Sequence, residues 1–187
     1  MLYLLSYQKL GKRYGERVSN KWQEDTEYMG YVQDLLETSE VQSLGEFVQH
    51  YHSTRLQHSI DVSYISYKLA KKVKGDAKAT ARAGLLHDLF FYDWRDTKFE
   101  SGSHAYMHPR VALHNAEKLT ELNKVEQDII LKHMWGATLA FPKYRESYVV
   151  TLVDKYCAIK EGLTPVLSKI SGRFSFGQKE VPVQESI

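Results

Sequence analysis

A single cysteine, Cys157, stands among the 187 residues, so no disulfide can close within the chain, in keeping with a reducing compartment. No run approaches the roughly 20 apolar residues needed to span a bilayer. The opening stretch MLYLLSYQKLGKR has neither the charged n-region nor the long apolar core of a secretory signal, and the expectation is a cytoplasmic protein with no membrane partner. Charge of one sign is missing too: 25 Lys and Arg face 23 Asp and Glu, so charge alone marks no nucleic-acid surface. Strand-type alternation and internal repeats are absent.

Helical periodicity is what remains. Tyr28, Tyr31, Val32, Leu35 and Leu36 recur at helical spacing. Thr54 followed by Gln57 reads as a capping box opening a helix whose apolar positions are Leu56, Ile60, Val62, Ile65 and Leu69, ending near Lys74-Gly75. A second helix is predicted from Asp76 to Phe90. Residues 93–103 read as a loop, and Pro109 as the first position of a helix carrying Val111, Ala112, Leu113, Ala116 and Leu119. Asn123 and Glu126 cap another with Val125, Ile129, Ile130 and Met134; the last clear helix covers 144–160. The expectation is an all-α, single-domain helical bundle: an arm or short helix over 1–25, the helical domain over 26–165, and a loose tail over 166–187.

One stretch strains against its own composition. ARAGLLHDLFFYDW (81–94) should bury itself, yet it holds His87 and Asp88 in its middle, and a buried carboxylate needs a partner. If the helices of 54–74 and 76–90 form an antiparallel hairpin, the heights of His58 and His87 along it differ by only roughly 7 Å. His108, His133 and Asp154 each lie in or beside apolar residues of a later predicted helix. Imidazole and carboxylate are the usual ligands of divalent transition metals. Four histidines and two aspartates exceed what one ion with an open position can use, but they suit two ions sharing a bridging carboxylate, which together can hold a hydroxide and clamp a phosphoryl group.

His58, the LLHD segment with His87-Asp88, and Asp154 in LVDKY resemble the H…HD…D pattern of the HD-domain superfamily of metal-dependent phosphohydrolases, over about residues 50–160. His108-Pro109 resembles the added segment of the branches that hold two metals, and His133 their next histidine. The resemblance implies a helical bundle in which His58, His87, Asp88 and Asp154 hold a first metal, Asp88 bridging to a second held by His108 and His133. Iron or manganese heads the expected metals, with magnesium, zinc, nickel and cobalt open. The implied function is hydrolysis of a small phosphate ester, plausibly a nucleotide, through a metal-bound hydroxide. The chain departs from the cyclic-dinucleotide branch, having His133-Met134 and no GYP segment. Two other readings stay open, a di-iron oxygenase of the same superfamily and a non-catalytic nucleotide sensor, as does a homodimer.

Phosphate binding calls for cations near the ions. Arg55, three residues before His58, is the first choice and Lys155 the second; Arg110 and Lys132 adjoin ligand positions. His104 rivals His108 as a ligand but reads as a surface loop residue, and His114 as solvent or packing. His50 and His52, just ahead of the cap, are candidates to touch substrate. Arg95, with Asp93 and Asp96, lines the pocket or forms surface ion pairs. Phe90, Phe91, Tyr92 and Trp94 read as core.

Overall fold

A computed structural model describes residues 21–50 and 53–174, with side chains over 21–49 and 53–163. Residues 1–20 of the arm expected over 1–25, the His50 side chain, His52, and the tail beyond 174 lie outside the described residues. The chain forms α1 (Lys21–Glu24), α2 (Thr26–Leu36), α3 (Ser39–Ser43) and a 3-10 turn (Leu44–Glu46). Next come β1 (Val48–His50) and β2 (Ser53–Thr54), then α4 (Arg55–Lys72) and α5 (Ala77–Leu86). The rest is α6 (His104–Leu119), α7 (Lys124–Lys132) and α8 (Arg145–Phe174). The fold is all-α as expected, with one small antiparallel ribbon in which Val48 pairs with Thr54 and His50 with Ser53.

Local chemistry sets most helix starts. Asp25, Thr38, Thr54, Asp76 and Asn123 each accept a backbone N–H of the first turn, each such cap contributing about 1 kcal/mol. Asn123 completes a reciprocal box: its Oδ1 accepts from Glu126 N at 2.9 Å, and Glu126 Oε2 accepts from Asn123 N at 2.8 Å. Thr54 forms only half of one. It accepts from Gln57 N, while the Gln57 amide donates to Asp61 instead.

Four boundaries differ from expectation. The residue in the left-handed conformation after α4 is Lys74 (φ 53°), not Gly75; Lys74 N donates to Lys71 O and Gly75 N to Ala70 O, the paired bonds of a Schellman ending. Gly75 is needed for room, since a Cβ there would lie 2.8 Å from Glu146 Oε1, which accepts the Asp76 N–H at 2.9 Å. α5 stops at Leu86 rather than Phe90, and side chains take the carbonyls of the segment beyond it: Asn115 binds that of Leu89, and Arg55 those of Phe90 and Tyr92. α6 begins at His104, so Pro109 sits inside it and merely omits one backbone bond. α8 continues through Gly162 to Phe174, well into the expected tail.

α4 and α5 form the expected antiparallel hairpin at the centre, with α2 against α5, α8 against α4 and α7, and α6 against α7. Their contact is built from small residues. Ser59, Ser63 and Ser66 of α4 and Thr80, Ala81 and Gly84 of α5 are all buried, while Leu69, expected inward, is exposed. Gly84 allows the closest approach, because a Cβ there would stand 2.9 Å from Ser63 Cα. Ser63 Oγ donates to Ala81 O at 2.6 Å and accepts from buried Tyr28 at 2.9 Å, fastening α2 to the pair. Arg82 ties α5 to Asp34 of α2, with Glu126 of α7 at 3.7 Å. Among the described residues no helix is long and apolar enough to cross a membrane.

Candidate metal centre

The bundle brings the six predicted ligand positions into one buried site. His58 occupies the first turn of α4, His87 and His133 the caps that end α5 and α7, His108 the second turn of α6, and Asp154 α8; Asp88 follows directly on the end of α5. The four histidines and Asp88 are at most 4% exposed. His58, His87 and Asp88 form one triad and Asp88, His108 and His133 a second, the ligand atoms of each lying within 4.8 Å of one another, with Asp88 common to both. Asp154 Oδ1 is 3.0 Å from His58 Nε2 and 3.7 Å from His87 Nε2. Asp88 Oδ1 is 3.4 Å from His108 Nε2 and 3.6 Å from His133 Nε2.

The imidazoles are all turned the same way. Nδ1 of His87, His108 and His133 donates to the carbonyl of Gly84, His104 and Ile130, at 2.8, 2.9 and 2.8 Å. Nδ1 of His58 meets Glu161 Oε1 at 2.9 Å. A proton held at Nδ1 leaves Nε2 a lone pair, the arrangement that presents histidine to a metal. That lone pair has no protein partner on His87, whose Nε2 is buried without a hydrogen bond. On His108 and His133 the two Nε2 atoms face each other at 2.7 Å, a contact that either a proton shared between them or a metal ion bridges. The residues fit a divalent ion at each triad, and their donor chemistry, imidazole nitrogen with carboxylate oxygen, suits transition metals.

The field of the site agrees. Burial pushes the Asp88 carboxyl up, but His87, His108 and His133 around it outweigh burial and hold it well below the usual carboxylate range. Asp154 is likewise depressed against its burial, by His58 and His87. His58 is the exception: against its burial, Asp154 and Glu161 raise it well above its ordinary value, so its Nε2 holds a proton toward Asp154 that a metal must displace. His133 is pushed down to about 3, by burial and then by its neighbours His108 and His87. Carboxylates thus stay ionised and attract positive charge into a buried site, while His133 of the second triad stays neutral.

Two supporting residues carry no motif. Gln49 of β1 is buried between Asp88 and Arg55: its Nε2 donates to Asp88 Oδ2 at 2.6 Å and its Oε1 accepts from Arg55 Nε at 2.9 Å. Glu161, one helical step beyond the predicted end of the last helix, holds His58 with one oxygen and accepts from Ser53 Oγ with the other. The opening of the β-ribbon and the true length of α8 had to be known before either could be placed.

Arg55 sits differently from expectation. It is wholly buried, sandwiched with its guanidinium carbon 3.6 Å from the Phe90 ring centroid and 4.8 Å from that of Phe47. Three of its five N–H donors go to Gln49, Phe90 O and Tyr92 O. Burial lowers its pKa to about 10, so it stays charged and braces the segment after Asp88. Lys155 of α8 is half-buried and donates to Trp135 O at 2.7 Å, bridging to the turn that follows His133. Arg95 binds the carbonyls of Val48 and Gln49 and lies over Trp94, serving the ribbon; Arg110 folds over Tyr106, and Lys132 is half-buried. His104 is no surface loop residue: it lies in the first turn of α6, half-buried, stacked on His108 at 4.4 Å between centroids. Its own pKa falls to about 4 through burial and then through His108. His114 is exposed, as are Asp93 and Asp96; Phe90 is core, whereas Phe91 is exposed.

The family model described as HD domain matches residues 55–159, a span running from the start of α4 to within α8 and containing all six candidate ligands. No curated protein matches the chain.

Proposed function

The chain belongs to the HD domain family, most of whose members are metal-dependent phosphohydrolases, and from that premise we propose that it hydrolyses a small phosphate ester or nucleotide at a pair of divalent ions. His58, His87, Asp88 and Asp154 would hold one ion, and Asp88, His108 and His133 the other. The observation that carries this reading is the common orientation of the imidazoles, which leaves the buried His87 Nε2 unpartnered and sets the His108 and His133 Nε2 atoms against each other at 2.7 Å. When bound, the ions supply Lewis acidity toward a phosphoryl oxygen and make hydroxide available at neutral pH.

The protein's own part is positioning. Carbonyls of α5, α6 and α7 and the Glu161 carboxylate hold the imidazoles in register. Gln49 fixes the rotation of the Asp88 carboxylate, so that Oδ2 is tied and Oδ1 faces His108 and His133. Arg55 anchors Gln49 and the following segment, a bracing role in place of direct phosphate contact. Lys155, beside Asp154 and fixed to the turn after His133, is the cation assigned to phosphate orientation.

The test is metal analysis of protein purified without chelator, followed by a screen of phosphomonoesters and nucleotides with the metal found. Turnover that disappears, together with bound metal, in His87→Ala and Asp88→Ala is the expected result. Full occupancy with no turnover across the panel refutes the hydrolase reading, and oxygen uptake in its place points to redox chemistry.

A further inference from the structure

Leu152, Tyr156, Ile159 and Leu163 are 50–62% exposed along one side of α8, with Tyr148 at 37% in line before them. Their spacing of four, four, three and four residues keeps them on one face, the interval of a helix–helix seam. Tyr148 packs edge-on against Trp135 at 5.2 Å between centroids, and Trp135 meets Phe141 at 6.2 Å, so the stripe continues into the turn before α8, where Phe141 is 65% and Leu139 91% exposed. Large side chains exposed to this degree present on the order of 800 Å² between them, above the few hundred Å² usual for the largest apolar patch of a monomer and near one side of a standard protein interface.

We propose that this face is a homodimer seam, two copies of α8 packing antiparallel about a two-fold axis near Tyr156. A second copy fits because the stripe is complementary to itself: its aromatic end, with Tyr148, Trp135 and Phe141, meets the aliphatic end, with Ile159 and Leu163. Charge selects the direction. Parallel pairing would set Arg145, whose side chain is 62% exposed, against Arg145, whereas antiparallel pairing does not. The seam lies on the helix that carries Asp154 and Glu161, so each copy would stiffen the other's ligand-bearing helix.

Sedimentation of the full chain across a concentration series tests the seam, with Leu152→Lys, which would face Lys160 of the other copy, as the disrupting variant. A dimer whose dissociation constant rises by about a hundredfold or more in that variant, with unchanged circular dichroism, is expected. Direction is read separately by diamide oxidation of Tyr156→Cys and Leu163→Cys. Disulfide-linked dimer for the first alone supports the antiparallel seam, and cross-linking of both shows a parallel one and overturns it. The unsubstituted chain is the control, because Cys157 is 3% exposed and burial pushes its thiol up to about 12. A monomer at every concentration, or a dimer indifferent to Leu152→Lys, refutes the proposal.

Discussion

Replacing Gln49 by leucine keeps the side chain's bulk and removes two hydrogen bonds at once. Asp88 Oδ2 loses a donor at 2.6 Å and Arg55 Nε an acceptor at 2.9 Å. Both partners are charged and buried, and a hydrogen bond to a charged group contributes about 1.5–3 kcal/mol, with a comparable cost for leaving a buried donor unmet. The expected loss is therefore about 3–5 kcal/mol, which for a chain of this size lowers the melting temperature by about 10 °C. Freed of its tether, the Asp88 carboxylate can rotate, and the resulting loss of metal affinity is expected at about 10–100-fold. Thermal unfolding by circular dichroism and metal titration read the two effects independently. Gln49→Glu separates them further. It restores an acceptor for Arg55 but sets two carboxylates together, so one must hold a proton. The proton raises that carboxyl's folded-state pKa, so the variant loses stability as pH rises above the unfolded glutamate value of about 4.3. A Gln49→Leu protein with unchanged melting temperature and metal affinity would refute the reasoning.

Gly84→Ala drives a Cβ to 2.9 Å from the Ser63 backbone and is expected to cost about 1–3 kcal/mol. Because His87 leans on the Gly84 carbonyl, metal affinity should fall with stability; a fully tolerated alanine argues against the close α4–α5 contact. Asp61 is raised to about 6, mainly by burial, above its unfolded value of 3.8, so its contribution to stability is complete below pH 4 and lost as pH climbs past 6. Asp61→Asn should then stabilise the protein by up to about 2 kcal/mol at pH 7.5 and by almost nothing at pH 4, checked by melting curves at both pH values. Saturating divalent metal at about 100 times its dissociation constant should add about 2.7 kcal/mol of stability, reversed by chelator. Asp88→Asn, which weakens both triads, should abolish most of that gain, and a gain that survives intact would remove Asp88 from the ligand set.

The polar residues were easier to find in the sequence than the elements that carry them. His58, His87, Asp88, His108, His133 and Asp154 stand out because ionisable groups interrupt apolar periodicity, and the hairpin of α4 and α5 could be placed from one cap and one turn. Serine escaped that logic. Ser59, Ser63 and Ser66 read as polar, yet all three are buried, and Ser63, whose hydroxyl donates to Ala81 O, lies where α4 and α5 come closest. The end of α5 and the start of α6 escaped as well: the segment between them is held by long-range bonds from Arg55 and Asn115 to its carbonyls, and no local pattern announces them. Gln49 shows the same limit most sharply: its partners are 39 and 6 residues away, and nothing in FVQH marks it as the residue that sets the carboxylate.

His87 and His133 each cap the C-terminal end of a helix, α5 and α7, and bond to that helix's last-turn carbonyls. A helix C-terminus carries the equivalent of roughly half a negative charge, so two backbone dipoles point their negative poles at the same small volume that Asp88 and Asp154 already make anionic. That field is written in the main chain and survives the loss of any one side chain. It draws cations in and turns phosphate away. For the proposed phosphate-ester substrate this sets an order: the ions must arrive first, because only they would reverse the sign of the field that an anion meets.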